Sequence, residues 1–186
     1  MKLKELSRLD VEQVRRWRNE CLETLRTPFL LTEDMQQRFY EDTISSRNAR
    51  ARYWGIFEHK HEEYPKNDLT CDYDILLGMI GLENIEWENR RAEISIILNP
   101  EYRGKGYGEQ AVDLLLEQGF FFMNLEIIWG ECYTCNPALQ FWKKIAKKYM
   151  ARCADVPFTK FWKSQYYDSF YFAFLKEDYN YVKNNT

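Results

Sequence analysis

The amino-acid sequence predicts a mixed α/β fold, a twisted sheet carrying helices on both faces. Three observations lead there. The stretch "DILLGMIGLENIEWENRRAEISIIL" is a long run of strand-forming residues divided by one turn. A further strand-like segment, "EIIWGECY", is separated from that run by a helical one, and a strand–helix–strand order usually closes as a parallel crossover. Helical periodicity recurs before the run and after it, which supplies helices for both faces of the sheet.

Each element has its own signal. "RLDVEQVRRWRNECL" places Val11, Val14, Trp17 and Cys21 on one helical face, with Asp10 as the expected N-cap. "LLTEDMQQRFYEDTI" opens a second helix after Thr32, with Glu33 and Asp34 in the first turn, where the helix dipole favours acids. "ARYWGIFEH" reads as the first strand, and the polar "HKHEEYPKNDLTCDYD" after it as a long, mobile loop. Glu88, Asn89 and Arg90 turn the following run into a hairpin. A third helix sets Glu109, Gln110, Asp113 and Glu117 against an apolar face of Ala111, Val112, Leu115 and Leu116. After "EIIWGECY", Asn136 is the expected cap of a fourth helix with Pro137 in its first turn. Ala138, Phe141, Trp142, Ile145 and Tyr149 form that helix's apolar stripe. "FTKFWKSQYYDSFYFAFL" reads as two aromatic-rich strands, and residues 177–186 as a flexible tail. The 186 residues suit a single domain spanning 1–186.

Composition narrows the class. A net charge of −3 with no basic domain argues against a nucleic-acid partner. No run is long enough for a membrane span, and "MKLKELSRLD" carries no apolar core of a signal peptide. Five irregularly spaced cysteines suit reduced thiols, so a cytoplasmic protein is expected. Aromatic residues at 17% call for a thick aromatic core, an aromatic cleft or a dimer face, and the final strands would suit a homodimer edge.

The chemistry concentrates in "LNPEYRGKGYGEQAVDLLLEQGF". A strand runs into Arg103, Gly104, Lys105, Gly106, Tyr107 and Gly108 and then directly into a helix. Alternate glycines are poor helix starters. They do let consecutive amides curl into an anion-binding nest at a helix N-terminus, and Arg103 and Lys105 add full charges, so a pyrophosphate is the natural guest. The P-loop pattern G-x-x-x-x-G-K-S/T is absent, and the dinucleotide pattern fails because Glu109 stands at its third glycine. A glycine-rich turn without a ligand is the alternative at this point.

The block "AEISIILNPEYRGKGYGEQAVDLLLEQGF" resembles the core of the GNAT superfamily, the Gcn5-related N-acetyltransferases. Its signature Q/R-x-x-G-x-G/A falls here on Arg103, Gly106 and Gly108. "GECYTCNPALQFWKKIAKKY" resembles the next strand and helix of that family. The likeness covers residues 74–149, while "VRRWRN" and "YYDSFYF" look like its ribosomal-protein-alanine and amino-sugar branch.

The resemblance implies a GNAT-like fold, a mostly antiparallel sheet with a central parallel pair that splays apart. It implies acetyl-CoA as co-substrate, no metal, and direct transfer of the acetyl group to a primary amine on a small molecule or peptide. CoA would be held by Ile96, Leu98, Arg103, Gly104, Lys105, Gly106, Tyr107, Gly108 and Asn136. An amide of the parted strand would polarise the thioester carbonyl. Glu93 would be the general base, acting directly or through one water. Its structural alternative is a cross-hairpin partner of Arg90 or Arg91, and Glu131 is the competing base. Tyr133 is the expected acid for the leaving thiolate, with Tyr149 or water as substitutes. Trp142 stands where many relatives carry a tyrosine and reads as a core aromatic.

Other signals are weaker. Cys132-x-x-Cys135 lacks further zinc ligands at useful spacing. Lys143, Lys144, Lys147 and Lys148 read as a solvated helix face. Arg15, Arg16 and Arg18 read as solvent-facing, on a helix that borders the acceptor site in the related branch. A non-catalytic acyl-CoA-binding module and a nucleotide-binding protein remain as competing classes.

Overall fold

The computed structural model describes residues 1–26, 28–64 and 69–185, with the backbone alone for 62–64 and 69–71. Seven described strands form one sheet: β1 (Lys2–Lys4), β2 (Arg52–Tyr64), β3 (Leu69–Glu86), β4 (Arg91–Leu98), β5 (Ile127–Tyr133), β6 (Arg152–Trp162) and β7 (Gln165–Leu175). Their spatial order is β1-β2-β3-β4-β5-β7-β6. Every neighbouring pair is antiparallel except β4 with β5, which is parallel. The sheet is thus mixed, with its parallel pair at the centre, as the strand–helix–strand order requires.

Helices cover both faces. Helices α1 (Arg8–Asn19) and α2 (Glu33–Phe39) lie on one side, where Val11, Val14 and Trp17 meet Phe57 and Leu76. Helices α3 (Tyr107–Glu117), α4 (Leu139–Lys148) and α5 (Lys176–Asn184) lie on the other. The larger core there unites Leu77, Ile80 and Leu82 of β3 with Leu115 and Leu116 of α3 and Ile145 of α4. Leu115 and Leu116 have no exposed surface, and burying such a side chain is worth about 1.5–3 kcal/mol. The period-2 pattern of the strands and the 3.6-residue pattern of the helices converge on these two layers.

Four sequence expectations are corrected. The cap of α1 is Ser7, not Asp10: Ser7 Oγ accepts from Asp10 N, and Asp10 returns a bond to Ser7 N at 2.8 Å, a reciprocal capping box. The polar stretch 59–74 is not a loop where it is described. Strands β2 and β3 continue as a ribbon to Tyr64 and Leu69, held by the cross-strand pairs His59–Asp74 and His61–Asp72, and only the part of that expectation at 65–68 lies outside the described residues. Asn136 does not cap α4; the cap position is Ala138, and Asn136 Oδ1 accepts from Ala138 N in the turn before it. Finally, residues 177–184 are no loose tail but the body of α5, whose Tyr179 is 1% exposed within the larger core.

Candidate active site

Strand β4 ends at Leu98 and the chain makes a tight turn at Pro100–Tyr102. Buried Asn99 fixes that turn, donating its amide to Leu77 O at 2.9 Å and accepting from Glu101 N at 3.0 Å. Gly104 and Gly106 then take φ values of +74° and +86°. A residue with a Cβ reaches that region at a cost of about 1–2 kcal/mol. A Cβ on either glycine would meet nothing within 4 Å. Backbone conformation, not crowding, therefore demands these two glycines, and open space lies over them. Gly106 is also the N-cap of α3, with no side-chain cap among the described residues. The helix thus offers its first-turn amides to an anion, and the loop's geometry fits a pyrophosphate.

The other loop residues divide into two roles. Gly108 is buried, and a Cβ there would approach the Phe141 ring to 3.2 Å, so its bareness lets α3 close on α4. Arg103 Nε donates to Leu98 O at 3.2 Å, the Lys105 ammonium lies 5.2 Å from the Tyr102 ring centre, and the Tyr107 hydroxyl donates to Glu58 at 2.9 Å. Two cations flank the loop, while Tyr107 ties it to β2.

A gap opens beside the loop. Strands β4 and β5 pair only where Arg91, Ala92 and Glu93 face Ile127, Ile128 and Trp129. Beyond Glu93, β4 stays with β3 as far as Leu98, and β5 stays with β7 as far as Tyr133. The inner edges of 94–98 and 130–133 have no ladder with each other among the described pairs. Ile96 and Leu98 sit on the parted length of β4.

Where the strands part, two carboxylates meet one guanidinium. Glu93 and Glu131 project on the α1 side with side chains 8% and 7% exposed. Arg26 Nη2 donates to Glu93 Oε1 at 2.5 Å and to Glu131 Oε2 at 2.9 Å. Asn84 Nδ2 donates to Glu93 Oε2 at 2.9 Å, from a bulge of β3 where Asn84 itself has φ +48°. Ser169 Oγ donates to Glu131 Oε1 at 2.6 Å. Arg26 is held above its ordinary value, first by the hydrogen bond to Glu93. Tyr171 is pushed up to about 12 by burial and by its bond to Glu131. The alternative partners for Glu93 are otherwise engaged: Arg91 pairs with Glu86 and Arg90 with Glu126. Arg26, Asn84 and Ser169 carried no motif, and no local pattern in the sequence could have found them.

Tyr133 closes this site at the end of β5. Burial raises its hydroxyl above the ordinary tyrosine value, while Arg26 beside it pulls the other way. The Lys160 ammonium lies 4.6 Å from its ring centre. Tyr149, the substitute acid, is elsewhere, with its hydroxyl on Asp113 of α3 at 2.9 Å. Trp142 stacks on Phe172 at 4.7 Å within the core, as a core aromatic would. Asn136 stands near the parted strands, its Nδ2 3.5 Å from Thr24 O. The Cys132 thiol is buried and pushed up to about 12, which leaves little thiolate for redox chemistry.

Two of the basic-run lysines, Lys144 and Lys148, pair with Glu109 at 2.7 and 2.9 Å and hold it near 2, joining α4 to the start of α3. Arg15 is not free in solvent; it bonds Glu12 and Leu31 O. Arg18 is half-buried, which lowers it. A cavity of about 420 Å³ between α1 and α2 touches none of the loop residues. Another of about 330 Å³ reaches the site's border at Asn84.

Comparison with known proteins agrees with this geometry. A family model described as "Acetyltransferase (GNAT) domain" matches residues 1–152. The chain belongs to the GNAT acetyltransferase family. The uncharacterized N-acetyltransferase YnaD of Bacillus subtilis is 34% identical over 123 residues, covering 64% of this chain and 67% of that one. The spermidine N(1)-acetyltransferase of Escherichia coli is 36% identical over 69 residues, 37% of each chain. That of Vibrio cholerae is 34% identical over 116 residues, 54% of this chain and 65% of its own. The chain therefore spans about one to two thirds of these relatives' length. The crystal structure of the Vibrio cholerae spermidine N-acetyltransferase in complex with CoA and spermine superposes with a TM-score of 0.75 at 20% identity, over 96% of this chain and 97% of that one. At that identity the likeness establishes the GNAT fold.

Proposed function

We propose that this chain is an acetyl-CoA-dependent N-acetyltransferase acting on a small cationic amine, with all of 1–186 forming its one domain. The observation that carries the reading is the parting of β4 from β5 beyond Glu93 and Trp129, with the glycine turn at the end of the parted β4. Acetyl-CoA supplies an activated thioester; the rest falls to the chain. Gly104, Gly106 and the first amides of α3 bind the pyrophosphate, with Arg103 and Lys105 at its flanks. The free edge of β4 at Ile96 and Leu98 pairs with the pantetheine arm, and Asn136 meets it from the far side. Glu93 accepts the proton of the attacking amine, with Glu131 beside it. Tyr133, kept protonated by burial, donates to the departing thiolate. Holding both reactants in line supplies much of the rate.

The acceptor class rests on two supports. The carboxylates of Glu93 and Glu131 are nearly buried side by side and suit a cation, and the relatives named for a substrate are spermidine N-acetyltransferases. This replaces the ribosomal-protein-alanine and amino-sugar branch with a polyamine-like acceptor. Exposed Phe158, Phe161 and Tyr166 on the β6–β7 edge support the homodimer contact. No described helix is long and apolar enough to cross a membrane.

The test is calorimetric titration with acetyl-CoA, with ATP and NAD alongside. Micromolar binding of acetyl-CoA alone, about −8 kcal/mol, followed by acetylation of spermidine, is the expected result. Binding without turnover on any amine would leave a non-catalytic acyl-CoA module, and no binding would refute the loop assignment.

A further inference from the structure

Arg26 lies between α1 and α2, yet its guanidinium sits among residues of the central strands. The three charges of the site are not equivalent. Glu93 is fixed from behind by Asn84 of β3, and Glu131 by Ser169 of β7. Both carboxylates belong to the sheet and are under a tenth exposed, whereas Arg26 is 51% exposed. The carboxylates are the fixed part and the guanidinium is the removable one.

The backbone that carries Arg26 is tied down separately. Lys160 Nζ, on β6, donates to Glu23 O at 2.8 Å and to Leu25 O at 2.5 Å. Asn136 Nδ2 reaches Thr24 O from the turn after β5. The Arg26 side chain can therefore swing outward while residues 23–25 stay strapped across the opening. It cannot leave the site empty of positive charge, because two adjacent carboxylates out of water repel one another and lose their solvation. Its departure requires another cation. A primary ammonium brings a unit charge and three donors, which matches the acceptor oxygens that the guanidinium occupies.

We infer that Arg26 is a built-in competitor of the acceptor: its guanidinium holds the ammonium seat between Glu93 and Glu131, and a cationic amine binds by displacing it. The inference rests on the acetyl-transfer reading above and adds a rule of selection to it. An acceptor must carry enough positive charge to replace a two-carboxylate partner, so a neutral or anionic amine is turned away before chemistry begins.

The experiment compares the full wild-type chain with Arg26→Gln, titrated with 1,4-diaminobutane and with spermidine in the absence of acetyl-CoA. The same amines are then used in initial-rate assays. With the competitor gone, both amines bind about tenfold tighter, the lower end of what one hydrogen bond to a charged group is worth, and KM for the amine falls alongside while KM for acetyl-CoA holds. Unchanged or weaker amine binding in Arg26→Gln overturns the inference, since the arginine would then be a strut or a ligand. A measurement on the wild type alone covers the case in which the variant does not fold. In arginine-15N protein, the guanidinium signal assigned to Arg26 by its contacts with Glu93 and Glu131 shifts and loses protection from hydrogen exchange when spermidine is added; an unmoved, still protected Arg26 signal overturns the inference. Tighter amine binding in Arg26→Gln with no acetyl transfer by either protein would refute the transfer reading and leave only the displacement of Arg26 by a bound cationic amine.

Discussion

Asp113→Ala should loosen the anchorage of the C-terminal helix, and the structure sets the size of the effect. Asp113 projects from α3 and accepts from Tyr149 at 2.9 Å, Tyr179 at 3.0 Å and Lys183 at 3.0 Å. Both tyrosines are 1% exposed. Without the carboxylate, the Tyr149 hydroxyl is left buried with no other side-chain hydrogen bond among the described residues, a loss of about 1–3 kcal/mol. Tyr179 keeps a weaker acceptor, the Asp113 carbonyl at 3.3 Å, so its loss is about 0.5–1 kcal/mol. The Lys183 pair, 47% exposed on the lysine side, adds at most about 0.5 kcal/mol. The sum is about 1.5–4.5 kcal/mol, a fall in Tm of about 3–18 °C for a chain of this size. Asp113→Asn keeps one acceptor oxygen and should lose less than half of this.

The pH dependence has a definite sign. Burial pushes Asp113 up, but the bonds from Lys183, Tyr149 and Tyr179 outweigh it and the carboxyl sits below its ordinary value. A lowered value means that the charge contributes stability above the unfolded carboxylate value of about 4 and loses it as pH falls through the folded value. The gap between wild type and Asp113→Asn should therefore be flat near neutrality and close in acid. Urea unfolding followed by circular dichroism measures both effects. A cost for Asp113→Ala below about 0.5 kcal/mol, the scatter of ordinary surface changes, would refute the anchoring role.

Two further outcomes concern the candidate site. Gly106→Val should abolish acetyl-CoA binding in calorimetry while the fold persists by circular dichroism, because φ of +86° excludes a β-branched residue and its methyls would fill the space over the nest; binding within threefold of wild type would remove the loop from the cofactor site. Glu93→Gln should keep acetyl-CoA affinity and slow transfer by about 10²–10⁴, and equal rates from about pH 6 to about pH 9 would show that Glu93 is not the base.

The parts that were legible in the sequence are those whose physics is local. The apolar positions Ala111, Val112, Leu115 and Leu116 repeat at helical spacing, and all four are buried in α3. The parallel pair follows from the order of β4, α3 and β5. The glycine turn is legible because a positive φ is a property of one residue at a time. Where the deciding partner was distant, the reading failed. Tyr179 is held by Asp113, 66 residues away, so a polar C-terminal stretch looked like a tail. The 59–74 ribbon is stabilised by His–Asp pairs across two strands, with no apolar alternation to announce it. Ser7 lost to Asp10 as a cap because both belong to one reciprocal motif.

The same division runs through the site itself. The half proposed to bind phosphate is main chain, written in six consecutive residues from Arg103 to Gly108. The half proposed to bind the acceptor is side chain, assembled from Arg26, Asn84, Glu93, Glu131 and Ser169 on separate elements. No two of those five are sequence neighbours, and the sheet order that joins them exists only in the fold. A chain of this family can thus disclose its cofactor by a short motif and keep its acceptor hidden, because a backbone nest needs only local geometry whereas a charge site needs the whole sheet to bring its members together.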